Sequence, residues 1–125
     1  MTASSLVIFL THLFIFMPQI PEITVSTLKE RLDSGETPFI LDVRRKEEHE
    51  FVNIGGRLIQ LDYLPDHLEE LEAHKDEEII VYCRSGARSG RAVQFLQSQG
   101  FEKAVNLTGG ILAWSAEIDP SLPTY

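Results

Sequence analysis

The stretch Glu78-Ile79-Ile80-Val81-Tyr82-Cys83-Arg84-Ser85-Gly86-Ala87-Arg88 decides the fold. Ile79 to Tyr82 is apolar without interruption, whereas a strand with one wet face alternates apolar and polar residues. Such a run predicts a strand covered on both sides, as in a parallel sheet packed between helices. It ends at Cys83, from which a polar loop leads into a helix starting near Arg88. Ala92, Val93 and Leu96 give that helix its apolar face, and Gly100 stops it. Ala104 to Leu107 then returns as a strand. Strand, helix and strand in succession imply a right-handed crossover in an α/β sheet, whose ligands bind beyond the carboxyl ends of strands. Cys83 stands at such an end.

The same alternation extends in both directions. Thr24 or Ser26 is placed to cap a helix running to about Asp33, with Leu28 and Leu32 on one face and Gly35 as the stop. Phe39 to Val43 reads as a short buried strand, Lys46 to Val52 as a short solvated helix, and Leu58 to Leu61 as another strand or extended segment. Pro65 is positioned to open a helix whose Leu64, Leu68 and Leu71 form an apolar stripe for the core. Downstream, Gly109-Gly110 breaks the chain before a last short helix through Trp114, and Pro120 and Pro123 close the domain. Pro18 and Pro21 mark its start, so the chain divides into an apolar leader, 1–19, and one domain, 20–125.

With 125 residues, 43% of them apolar, the chain builds a single core. Its formal charge of −8, from 11 basic and 19 acidic residues, argues against nucleic acid or an anionic membrane as partner. Any anion site must therefore be local. One cysteine excludes an internal disulfide and a multi-thiolate metal centre, and His12, His49, His67 and His74 show no ligand spacing, so no metal is expected. The leader's apolar run, Leu6 to Met17, falls short of the roughly 20 residues a spanning helix needs, so no stable membrane span is expected. Met1 to Ser5 lacks the basic residues of a signal peptide, and no small-residue cleavage site precedes Pro18. A cytoplasmic location is expected ahead of export, and a further reading makes the chain the tail of a longer protein.

The chemistry gathers at Cys83. Between a strand end and a helix start, unpaired backbone N–H groups curl around the sulfur, and the helix dipole adds partial positive charge. Both favour a thiolate. Gly86 permits the tight loop, and Arg84 and Arg88 bring two positive charges close to the sulfur in an acidic chain. A lone strand-end cysteine is otherwise an inert core thiol, and it is this flanking sequence that reverses the preference.

Leu41-Asp42-Val43-Arg44, then Glu48 and Phe51, Ile54-Gly55-Gly56, Val81-Tyr82-Cys83-Arg84-Ser85-Gly86-Ala87-Arg88-Ser89 and Gly109-Gly110-Ile111-Leu112-Ala113-Trp114 follow one another in an order that resembles the rhodanese (sulfurtransferase) family. The resemblance covers residues 20–125. It implies an α/β fold with a five-stranded parallel sheet flanked by helices on both faces. It also implies a catalytic loop that begins with the nucleophile Cys83, which carries sulfane sulfur as a persulfide. Arg84, Ser85, Gly86, Ala87 and Arg88 would then form the substrate and persulfide cradle, with no cofactor. Asp42 and Arg44 take structural roles by the same resemblance, and Trp114 anchors the core.

The match has departures. Asn53 stands where many members have histidine, Gly55-Gly56-Arg57 replaces a Gly-Ala step, and His49 replaces a common tyrosine. Two-domain members carry an arginine at the position matching Glu48, so their thiosulfate preference does not carry over. From Ile59 through Leu64-Pro65 to Glu117-Ile118-Asp119-Pro120 the chain is most similar to members that stand alone or follow adenylyltransferases activating sulfur-carrier proteins.

The expected function is a sulfurtransferase, moving sulfane sulfur from thiosulfate or a persulfide donor to a thiol, cyanide or a sulfur-carrier protein. Two other classes compete. A cysteine phosphatase or arsenate reductase needs an arginine six positions after the nucleophile, where this chain has Ser89, with Arg88 one residue too early. A non-catalytic module of the same fold would bind a partner or sense redox state through Cys83; inactive members usually lack the cysteine, and this chain keeps it with both arginines.

Overall fold

Five strands, Glu22–Ile23 (β1), Phe39–Asp42 (β2), Arg57–Leu58 (β3), Ile79–Tyr82 (β4) and Ala104–Leu107 (β5), form one parallel sheet in the order β1-β5-β4-β2-β3. The structure is a computed structural model that describes residues 19–125. The apolar run Leu6 to Met17, with the readings placed on it, lies outside the described residues. Five α-helices accompany the strands: Val25–Asp33 (α1), Lys46–Phe51 (α2), Leu68–Leu71 (α3), Ala87–Ser98 (α4) and Gly110–Glu117 (α5). No helix among the described residues is long and apolar enough to cross a membrane.

The uninterrupted apolar run of β4 lies at the centre of the sheet, and all four of its residues are fully buried. Ile79 and Val81 face Ala92, Val93 and Leu96 of α4 together with Leu64 and Leu71. Ile80 and Tyr82 face the opposite layer, against Val25 and Leu28 of α1 and Ile111 and Trp114 of α5. Period-two geometry thus feeds two apolar cores from one strand, which is why polar alternation is missing from it. Thr24 starts α1 as expected, its Oγ1 accepting from the Thr27 N–H at 3.1 Å.

Two segments differ from expectation. Of Leu58 to Leu61, expected as a strand or extended segment, Leu58 ends β3, Ile59 and Gln60 run on outside the strand with the Ile59 N–H donating to the Asp42 carbonyl at 2.9 Å, and Leu61 already belongs to a 3₁₀ segment. The helix expected to open at Pro65 begins instead as a 3₁₀ segment, Leu61–His67, with Pro65 inside it, and turns α-helical only over Leu68–Leu71. In a 3₁₀ turn residues three apart eclipse, so Leu61 and Leu64 reach the same core and the apolar stripe is kept under tighter winding. β1, two residues long, offers no periodicity to read. It exists because the Asn106 and Thr108 N–H groups donate to the carbonyls of Pro21 and Ile23 at 2.8 and 2.9 Å.

At the carboxyl end of β2 lies a buried ion pair. Arg44 and Asp42 are both fully buried, with Nε to Oδ1 at 2.9 Å and Nη2 to Oδ2 at 2.7 Å. Nη2 also donates to the Val52 carbonyl at 2.8 Å, and His49 Nδ1 meets Asp42 Oδ2 at 2.8 Å. The guanidinium lies 5.3 Å from the Tyr82 ring centroid. Asp42 and Arg44 thereby stitch the strand end to α2. Removing one partner leaves a charge without its counter-ion in the interior, at a cost of about 3–5 kcal/mol. Asp42→Ala is expected to lower unfolding free energy by that amount in a denaturant titration.

Candidate active site

Cys83 follows the last residue of β4, and only 1% of it is exposed. Two donors reach its Sγ, the Gly86 N–H at 3.1 Å and the Ser89 hydroxyl at 3.3 Å. The loop holds this shape because its carbonyls are turned away from the sulfur. The Ile111 N–H donates to the Cys83 carbonyl at 3.0 Å, and the Leu112 N–H to the Arg84 carbonyl at 3.1 Å. These donors belong to the first turn of α5, where the N–H groups lack partners within the helix. Gly110 makes the approach possible: its φ is +57°, and a Cβ there would lie 2.5 Å from both carbonyl oxygens. The Gly109-Gly110 break is therefore the back wall of the cysteine loop. Gly86, at φ +117°, turns the chain into α4 so that the first turn of that helix faces the sulfur.

Ser89 and Asn106 complete the cradle, and the sequence reading missed both. Both are buried, with Ser89 Oγ 2.6 Å from Asn106 Oδ1 and Asn106 Nδ2 donating to the Gly86 carbonyl at 3.1 Å. A hydroxyl has a single proton. Sγ and Asn106 Oδ1 both lie within its reach, and it donates to one of them at a time. Burial pushes the Cys83 thiol up, but the Ser89 hydroxyl and the backbone N–H groups of Ser89, Gly86 and Ser85 outweigh it. The thiol is held below its ordinary value. A signal for Asn106 was present, since a polar residue in the apolar strand Ala104-Val105-Asn106-Leu107 needs a buried partner.

Arg84 and Arg88, expected to bring charge close to the sulfur, each hydrogen-bond another partner instead of Sγ, while Arg88 stays near enough to interact with the Cys83 charge. Arg88, in the first turn of α4, makes a two-pronged pair with Glu48, Nη1 to Oε2 at 2.7 Å and Nη2 to Oε1 at 2.8 Å. Arg84 is not free at the loop's front. Its Nε donates to the main-chain oxygen of Tyr125 at 2.6 Å, Nη2 donates to the same atom, and its guanidinium lies 5.1 Å from the Tyr125 ring centroid. The Tyr125 hydroxyl donates to Glu48 Oε1 at 2.7 Å and accepts from Arg44 Nη1 at 3.0 Å. Chiefly through Arg88, and with help from the Arg45 N–H and the Tyr125 hydroxyl, the Glu48 carboxyl is lowered to about 2 against its burial. It is an anion at every physiological pH. The Ser85 and Ala87 side chains are exposed, so Ser85 contributes its N–H rather than its hydroxyl.

Beside Arg88 a cavity of about 740 Å³ opens, with Arg45, Gln60, Leu61, Asp62 and Arg91 among its lining. Arg88 is the residue it shares with the cysteine loop, and Val43, just past the carboxyl end of β2, also lines it.

Two outcomes follow from this geometry. Ser89→Ala removes the side-chain donor to the anion, so the midpoint of a thiolate ultraviolet titration is expected to rise. The thiolate population at neutral pH should fall about tenfold, the worth of one charge-assisted hydrogen bond. Gly110→Ala, which places a Cβ against two carbonyls at positive φ, is expected to cost more than about 1 kcal/mol by thermal or denaturant unfolding.

Comparison with known proteins identifies a family for the chain. The family described as rhodanese-like domain matches residues 24–117. A putative sulfurtransferase of Bacillus subtilis, YtwF, is 38% identical over 103 residues, covering 82% of this chain and 97% of its own. The adenylyltransferase and sulfurtransferase uba4 of Ogataea parapolymorpha is 38% identical over 97 residues, 77% of this chain but 25% of its own. This chain therefore spans about a quarter of that relative's length. Among solved structures, a rhodanese-like domain protein from Staphylococcus aureus superposes with a TM-score of 0.71 at 33% identity, over 85% of this chain and 99% of its own. With the sheet order, the cysteine loop at the end of β4 and these matches in agreement, the chain belongs to the rhodanese-like domain family.

Proposed function

We propose that this protein is a sulfurtransferase in which Cys83 carries the transferred sulfur as a persulfide. The observation that carries the reading is the convergence of the Gly86 N–H and the Ser89 hydroxyl on the Cys83 sulfur at a strand end. Such preorganised donors stabilise negative charge where it develops, without solvent reorganisation. The thiolate attacks the outer sulfur of a sulfane donor. With thiosulfate, a new S–S bond forms at Cys83, the donor's S–S bond breaks, and sulfite leaves with the electron pair. The anionic outer sulfur then takes the place of the thiolate charge before the loop's N–H groups.

An acceptor thiolate attacks that outer sulfur in the second step, leaving as a persulfide and restoring the Cys83 thiolate; cyanide leaves as thiocyanate. The chain has no second cysteine, so the acceptor is external. A small thiol or a sulfur-carrier protein fits this step, and the names of relatives such as the putative sulfur carrier protein YrkF of Bacillus subtilis support the latter. We assign the activity to residues 20–125. The cytoplasm is its proposed site, because the mechanism needs a thiol kept reduced.

A phosphatase reading finds no support in the loop. The arginine that would clamp an oxyanion is engaged by Glu48, and the sixth position after the cysteine is Ser89.

Incubation with excess thiosulfate is expected to raise the intact mass by one sulfur atom, and cyanide should remove it. Cys83→Ala should fold, gain no sulfur and show no turnover. A folded Cys83→Ala variant that still transfers sulfur would exclude the mechanism, and a wild-type chain that accepts no sulfur from any sulfane donor would leave the interaction-module reading standing.

A further inference from the structure

Both cations of the catalytic loop are already satisfied by the protein itself. Arg88 is matched by the Glu48 carboxylate, and Arg84 by the main-chain oxygen and ring face of Tyr125. Glu48 and Tyr125 are joined to each other through the phenol hydroxyl at 2.7 Å, and Phe51 braces the Tyr125 ring edge-on at a centroid distance of 6.0 Å. The result is a closed clasp from one end of the loop to the other, Arg84–Tyr125–Glu48–Arg88. From this we infer that Glu48 and Tyr125 are specificity-determining residues, which turn the site away from dianionic donors and toward donors of low charge at the reacting end, namely persulfides.

The inference rests on the sulfurtransferase reading and concerns its donor. An anion gains from a cation in proportion to the net charge it meets, and Arg88 together with Glu48 presents none. The Glu48 side chain keeps 17% of its surface exposed and that of Arg88 30%, so an incoming dianion meets the carboxylate as well as the guanidinium. Arg84 would have to leave two hydrogen bonds and an aromatic face to meet the donor. A persulfide needs neither arginine. Its outer sulfur reaches Cys83 under the backbone N–H groups alone, and its remaining substituent has the cavity beside Arg88 to occupy.

The experiment measures single-turnover loading of Cys83, read by intact mass after quenching, with thiosulfate and with cysteine persulfide as the two donors. Wild type is expected to load faster from cysteine persulfide. Glu48→Gln, which removes the charge and keeps the shape, should raise the thiosulfate-to-persulfide rate ratio about tenfold. It should also make thiosulfate loading fall steeply with added salt, since the arginine is then uncompensated. Glu48→Asp should restore the wild-type ratio. Tyr125→Ala, which removes the ring face under Arg84 and the hydroxyl that ties residue 125 to Glu48 and Arg44, should shift the ratio in the same direction, and Tyr125→Phe, which keeps the ring, should shift it less. A ratio and salt dependence unmoved by both Glu48→Gln and Tyr125→Ala would overturn the inference, as would a wild-type preference for thiosulfate. If wild type loads from neither donor, the sulfurtransferase reading itself fails.

Discussion

Two hydrogen bonds behind the sulfur organise the rest of the site. The first turn of α5 has N–H groups without helical partners, and the carbonyls of Cys83 and Arg84 supply acceptors for two of them. With those carbonyls turned backward, the peptide units of the loop have one face left for their N–H groups, and that face holds Sγ. The electrostatics around Cys83 is thus a by-product of satisfying a helix end. It depends on Gly110, because any side chain there would stand where the carbonyls must be. The Ser89 hydroxyl adds a side-chain donor within reach of the sulfur and of the Asn106 amide oxygen.

This division of labour leaves the arginines out of direct contact with the sulfur. Backbone dipoles and one hydroxyl hold the anion in a buried, weakly polarisable setting, where they act at full strength and need no reorganisation. Mobile guanidinium groups would serve a different purpose, namely attracting charged ligands from solvent. Here that purpose is muted by Glu48 and Tyr125, so recruitment and stabilisation are carried by separate groups and are open to separate change.

Local signals made most of the fold legible, and distance in sequence hid most of the rest. The uninterrupted run Ile79 to Tyr82, the cap at Thr24 and the Gly109-Gly110 break each act on their immediate neighbours, and each stands where the sequence places it. β1 is two residues whose strand character comes from β5, more than eighty positions along the chain. The end of the segment Leu58 to Leu61 is hidden because Leu61 serves a 3₁₀ turn as well as it would an extended chain. The cysteine loop was readable as a shape but not as a charge distribution. Arg88 finds its counter-ion 40 residues away and Arg84 its acceptor 41 residues away, and nothing in the spacing of either announces it. Ser89 stands in the motif itself, six residues past Cys83 on the first turn of α4, but its spacing does not announce that its hydroxyl reaches the sulfur.

Arg44 belongs to two circuits at once. Through Nε and Nη2 it neutralises Asp42 at the end of β2, and through Nη1 it donates to the hydroxyl of Tyr125 at the mouth of the site. A single rigid guanidinium plane therefore carries both a pair that the fold requires and a contact that shapes the loop's surroundings. The evolutionary consequence is epistasis. A lineage altering residue 125 loosens one edge of that plane, and the substitutions it then tolerates at 42, 44 and 49 differ from those tolerated before. Adaptation at the rim is paced by what the interior permits.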